Sequence, residues 1–146
     1  MTLPDVNVIL YAFRSEMPQH SVCHAWLHSA VNGTAPYAMS PQVLSSFIRI
    51  ATNPRAFARP DTLAEATAFA DVLLTQPHCQ VVHPGLRHWT IFVDLCRKSR
   101  ATGNLVQDAW FAALAMEHGC EWITEEGDYA RFPGLRFRSA ADSGCQ

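Results

Sequence analysis

The sequence predicts an α/β domain: a mainly parallel central sheet of about four to five strands, with helices on both faces. Two observations carry this. Short apolar or β-branched runs alternate with helical patterns along the whole chain, and that alternation requires right-handed crossovers that cover both faces of the sheet. No linker-like stretch or internal repeat interrupts it, and 146 residues suit one core.

The opening segment, residues 3 to 11, is apolar and β-branched at its centre, and reads as a buried parallel strand running into a helix. Its polar members are Asp5 and Asn7. Residues 18 to 31 read as a helix with Val22, Ala25, Trp26 and Ser29 on one face, stopped by Asn32 and Gly33. A short strand is expected around residues 37 to 39. Ser40 and Pro41 are a good cap and first-turn pair for a helix ending near Thr52, before Asn53 and Pro54. Its apolar stripe is Val43, Leu44, Phe47, Ile48 and Ala51. Thr62 with Glu65 matches a capping box and opens an Ala-rich helix through about Leu74. Residues 80 to 83 read as a third strand. Pro84 begins a helical stretch with Trp89, Phe92, Val93 and Cys96 at helical spacing. After residues 101 to 103, a further helix runs to His118 and Gly119. The last two strands are expected at residues 122 to 124 and 135 to 137. The domain is expected to occupy residues 1 to 139, with residues 140 to 146 as a loose tail.

The composition, 49% hydrophobic and 16% charged, suits a globular protein and argues against a disordered chain. The N-terminus reaches Pro4 and Asp5 without a basic region and apolar core of the secretory kind, and no run of about 18 apolar residues occurs, so a cytoplasmic location is expected. Five widely spaced cysteines, Cys23, Cys79, Cys96, Cys120 and Cys145, form no C-x-x-C pair and are expected to be reduced. A net charge of −2 means that any nucleic acid must be met by local patches. The cations are ten Arg and Lys98. No G-x-S-x-G, P-loop or G-x-G-x-x-G motif is present. His20, His24 and His28 share a helical face and read as a solvated stripe, since no second ligand set of suitable spacing accompanies them.

Acidic residues recur where strands of an open α/β sheet end, which is where such sheets bind ligands. Asp5 lies near the end of the first apolar strand, although Asp is also a favoured helix cap. Asp108 lies in a helix that is apolar on most sides, where a carboxylate must find donors, a cation or water; a solvated first-turn Asp is the plainer alternative. Glu125, Glu126 and Asp128 surround Gly127 just after the residue 122 to 124 strand. Carboxylates from three distant segments can therefore meet in one crevice, and hard divalent cations want such oxygen ligands.

Residues 5 to 12, Asp-Val-Asn-Val-Ile-Leu-Tyr-Ala, resemble the opening of PIN-domain nucleases, specifically of VapC-like toxins of toxin-antitoxin pairs. Three further blocks are similar in order: residues 43 to 55, residues 103 to 115 and residues 124 to 135. His83-Pro84-Gly85 with His88-Trp89 resembles a subgroup. Two positions depart from the pattern: Ser46 stands where many PIN domains carry Glu, and Glu126 where Asp is common. Asp128 fits the second acid of the last block.

The resemblance implies a PIN-like fold and an endoribonuclease that hydrolyses RNA phosphodiesters, with tRNA or ribosomal RNA as the family's substrate class. It implies Mg²⁺, with Mn²⁺ as substitute, held principally by Asp5 and Asp108, with Glu126 and Asp128 completing the catalytic set and Asn7, Ser46 and Thr124 supporting it. It also implies a VapB-like antitoxin partner, and a homodimer formed through the helices of residues 41 to 75. Arg97, Lys98 and Arg100 are the leading candidates for RNA phosphate contacts, and equally suit a helix C-terminus. Arg49 and Arg55 suit RNA or an acidic antitoxin segment. Two other readings stay open: a PIN-like module that binds RNA or a partner without cutting, and a subunit acting mainly as a repressor within an antitoxin complex.

Overall fold

The computed structural model describes residues 1–142. Its elements follow in the order β1 (Thr2–Pro4), α1 (Val6–Phe13), α2 (His20–Asn32), β2 (Tyr37–Met39), α3 (Pro41–Ala51), α4 (Leu63–Leu74), β3 (Cys79–Val81), α5 (His88–Ser99), α6 (Asn104–Glu117), β4 (Glu121–Ile123) and β5 (Phe137–Arg138), with a 3₁₀ turn at Gly127–Arg131 before the last strand. Every strand pairing is parallel. β4 lies between β1 and β5, with Leu3 opposite Trp122 and Trp122 opposite Phe137, while β2 pairs with β3. β2 packs beside β1. The strands therefore run β3-β2-β1-β4-β5 across the molecule, the α/β architecture expected from the alternating pattern.

Local chemistry explains the boundaries. Ser40 accepts from the Val43 N–H and Pro41 occupies the first turn of α3; Thr62 accepts from the Glu65 N–H, and its own hydroxyl donates to the Glu65 carboxylate. Apolar stripes then turn inward. Leu3, Ile9, Met39, Phe47, Leu114 and Trp122 are fully buried, each large side chain worth roughly 1.5–3 kcal/mol of transfer free energy.

Three segments differ from the sequence expectation. The opening strand is only three residues long, because Asp5 ends it and caps α1 at once, so most of residues 3 to 11 is helix. Pro84 does not open α5, which begins at His88. The cause is Glu117 at the end of α6, whose carboxylate accepts from the N–H groups of Gly85 (2.7 Å) and Arg87 (2.9 Å) and holds this stretch as a turn. A Cβ at Gly85 would lie 2.7 Å from the Glu117 carboxylate, so a side chain there would displace the clamp. The last strand lies two residues later than expected, since Leu135 turns into the core instead.

The four cysteines of the described residues are free, and burial pushes the Cys23 thiol up to about 12. Cys145 lies outside the described residues. At the expected start of the tail, the Ala140 N–H and the Ser139 hydroxyl donate to Glu125; residues 143 to 146 lie outside the described residues. No helix among the described residues is long and apolar enough to cross a membrane. His20, His24 and His28 run as a ladder of neighbouring rings along α2, with His24 and His28 exposed.

Candidate active site

Asp5 occupies the junction of β1 and α1. Its N–H donates to the Ile123 carbonyl at 2.8 Å, extending the β1–β4 ladder by one bond, and its Oδ1 accepts from the Val6 N–H at 2.6 Å as the helix cap. It is thus the helix cap that the sequence offered as the plainer alternative, placed at a strand's end. Its other oxygen, Oδ2, accepts from the Thr124 hydroxyl (2.7 Å) and the Asn7 amide (3.2 Å). Thr124 is held in turn by its N–H donating to Arg138 at the edge of β5. All three side chains are buried, with Asp5 4% exposed.

Asp108 lies one turn into α6 and is half-buried, with the Tyr129 hydroxyl donating to its Oδ1 at 3.4 Å. Tyr129 is fully buried behind the cleft, and sequence reasoning did not single it out. An aromatic residue just after an acidic loop reads as packing, and nothing local reveals that its hydroxyl faces a carboxylate 21 positions away. Exposed Glu126 and Asp128 follow β4. The Glu126 N–H donates to Thr124 Oγ1 at 3.1 Å, so Thr124 ties the loop to Asp5. Glu125 points elsewhere: its carboxylate accepts from Ser139 and Ala140.

The four carboxylates of Asp5, Asp108, Glu126 and Asp128 line one cleft of about 510 Å³, together with Asn7, Ser46, Arg49 and Gln107. Arg97, Lys98 and Arg100 are exposed at the end of α5 and do not line it; Lys98 instead pairs with Asp94 at 2.9 Å. Electrostatics in the cleft are unfavourable to ionised acids. Burial, and then the charges of Glu126 and Asp108, push the Asp5 carboxyl up to about 7, against the opposing hydrogen bonds from Thr124 and Val6. Burial, then Glu126 and Asp128, raise Asp108 to about 6. Such strain among like charges is relieved by a cation.

The donor set is made of oxygens and fits Mg²⁺ or Mn²⁺. Among the described residues no three His, Cys, Asp or Glu side chains stand together as a metal-holding group. An ion held by a few carboxylates and several waters needs none.

Residues 2–135 match the family model described as PIN domain, which defines the class of the fold and the site. Ribonuclease VapC31 of Mycobacterium tuberculosis is 38% identical over 136 residues, covering 93% of this chain and 96% of that one. The chain belongs to the PIN-domain family, in its VapC ribonuclease toxin branch. Among solved structures, VapBC2 from Rickettsia felis bound to a promoter DNA fragment superposes with a TM-score of 0.68 at 14% identity, covering 94% of this chain and 97% of that one. Mycobacterium tuberculosis VapC20, described as a sarcin-ricin loop cleaving toxin, gives 0.67 at 16%, with 93% and 99% covered. At such identities these two likenesses show the fold.

Proposed function

We propose that this protein is a divalent-metal-dependent endoribonuclease and the toxin of a toxin-antitoxin pair, hydrolysing phosphodiester bonds of a structured RNA. The observation that carries the reading is the convergence of Asp5, Asp108, Glu126 and Asp128 in one cleft from the β1–α1 junction, α6 and the loop after β4, with Asp5 and Asp108 held as unusually weak acids. The VapC relatives bear the name ribonuclease, and VapC20 is described as cutting the sarcin-ricin loop; ribosomal RNA or tRNA is accordingly the proposed substrate class.

Asp5 and Asp108 would hold the ion, with Glu126 and Asp128 bound directly or through its waters. A bound Mg²⁺ or Mn²⁺ supplies Lewis-acid stabilisation of the charge developing at phosphorus and a more acidic water. Thr124 and Asn7 fix the Asp5 carboxylate by their hydrogen bonds, and Tyr129 orients Asp108. The carboxylates of Glu126 and Asp128, on the same cleft, could accept a proton from a water held there.

A VapB-like antitoxin is the proposed partner, supported by the toxin-antitoxin complexes among the structural neighbours. A homodimer through α3 and α4, and action in the cytoplasm, belong to the same reading. The non-cleaving alternative draws on one observation: Ser46 lines the cleft where many PIN domains present a carboxylate.

Cleavage of tRNA and ribosomal RNA fragments with Mg²⁺ or Mn²⁺, comparing wild type with Asp5→Ala and Asp108→Ala, tests the proposal. Loss of cutting in both variants is expected. Equal cutting by all three proteins, or none by wild type freed of antitoxin, would overturn it.

A further inference from the structure

Arg49 lies three residues after Ser46 on α3, and both side chains line the carboxylate cleft. It is the one Lys or Arg among the described residues that line it. Its side chain is exposed, and it takes part in no ion pair among the described residues, although four carboxylates share its cleft. An arginine in acidic surroundings ordinarily forks onto a carboxylate. Here the guanidinium is left free beside the place where an anionic substrate must enter.

Ser46 explains part of that freedom. Positions three apart on a helix are surface neighbours, and an acid at one pairs with a base at the other. A Glu at position 46, the residue many PIN domains carry, would stand within reach of Arg49. The hydroxyl of Ser46 offers no such charge. The departure from the family pattern that removes one acid from the cleft thereby leaves one cation available.

We infer that Arg49 positions a phosphate of the RNA backbone in the cleft, and that Ser46 keeps its guanidinium unpaired for that contact. The inference rests on the ribonuclease reading. It assigns to α3 the role that sequence analysis gave to Arg97, Lys98 and Arg100, which stand outside the cleft. A guanidinium in the same cleft as the carboxylates would offer a phosphate a charge-assisted, bidentate hydrogen bond despite the acidic lining.

The test uses a fluorescein-labelled hairpin RNA, whose binding is measured in EDTA across a salt series, alongside its cleavage in Mn²⁺. The proteins are wild type, Arg49→Ala, Arg49→Lys, Ser46→Glu and the Ser46→Glu/Arg49→Ala pair. Arg49→Ala should weaken RNA binding about tenfold and flatten the log K against log salt plot by about one unit, as loss of one phosphate contact requires. KM should rise more than kcat falls, and the melting temperature should stay unchanged. Arg49→Lys should restore the salt slope. Ser46→Glu should weaken RNA binding, and adding Arg49→Ala to it should cost less than Arg49→Ala costs alone, because the pair has already captured the charge. Unchanged affinity and salt slope in Arg49→Ala overturn the assignment. So does a loss of binding to the cognate antitoxin with RNA binding intact, which would make Arg49 a partner contact. If wild type binds the RNA but never cuts it, the ribonuclease reading fails, while the binding arm still decides Arg49.

Discussion

The Thr124 hydroxyl donates to Asp5 Oδ2 at 2.7 Å across 119 positions of sequence. The β1–β4 ladder makes this contact: Pro4 stands opposite Ile123, so the residues that follow each of them leave the sheet side by side. One hydroxyl then serves the carboxylate, the Asn7 amide and the Glu126 N–H together.

Thr124→Val keeps the shape and removes that donor. Divalent-ion affinity and RNA cleavage should fall about 10- to 100-fold, as when other groups that orient a metal ligand are lost, and stability should drop by about 1–3 kcal/mol for the bonds left unmade. Thr124→Ser should recover most of both. Calorimetric Mn²⁺ titration and urea unfolding measure the two effects; an unaltered Mn²⁺ affinity in Thr124→Val would count against the hydroxyl's role.

Asp5 and Asp108 make the ion-free protein weaker as pH rises. In the folded chain Asp5 releases its proton near pH 7 and Asp108 near pH 6, rather than near 3.8. Between those limits the native state binds more protons than the unfolded one, so stability is greatest below about pH 4 as far as these two groups are concerned, and is lost as pH climbs toward 7. Melting in EDTA should therefore show a fall from pH 5 to pH 8 that is reduced in Asp5→Asn. Stabilisation by Mn²⁺ should run the opposite way, small at pH 5 and large at pH 8, because protons compete for the same oxygens.

Asp108→Asn separates activity from folding. The Tyr129 hydroxyl can still donate to the amide oxygen, while one of the four clustered charges is gone. RNA cleavage should drop at least about 100-fold, the scale of losing an electrostatic element of a reacting site, and the melting temperature in EDTA at pH 8 should stay level or rise. A marked fall in melting temperature would mean that the carboxylate serves the fold.

Arg14 is a structural counterpart to the acidic cleft. It is buried at the end of α1, pairs with Asp61 at 2.7 Å, donates to the Arg59 carbonyl at 3.0 Å, and stacks 3.7 Å over Phe57. Arg14→Ala should cost about 3 kcal/mol, since it strands a partly buried carboxylate and frees the α3–α4 connection. Arg14→Lys should recover little, lacking the planar fork. Denaturant unfolding checks both.

Most of the helix ends could be read locally, because Ser40, Thr62 and Gly33 act on neighbours within a few residues. Two errors share one cause. The Pro84 turn depends on Glu117, 32 residues away from Gly85, and the side-chain orientation that lets Asp5 end its strand and cap α1 is held by Thr124, 119 residues away. At the site, the four acids were legible as types at strand ends. By residue type Glu125 and Glu126 are alike, and only the resemblance singled out Glu126; the loop's path turns the one toward Ser139 and the other toward the cleft. Tyr129 gained its place from packing that no local pattern records, and only packing separated Arg49, which lines the cleft, from Arg55, which does not.

The sequence by itself determined an α/β alternation, the caps that bound its helices, and an order of acidic blocks resembling that of PIN-domain toxins. Those features are local: propensity, hydrophobic period and short motifs act over a turn or a strand. Tertiary structure alone decided which carboxylates share a cleft, how burial weakens Asp5 and Asp108 as acids, and which arginine faces them. Each of these depends on distances between segments remote in the chain, and on the water that packing removes from around a charge.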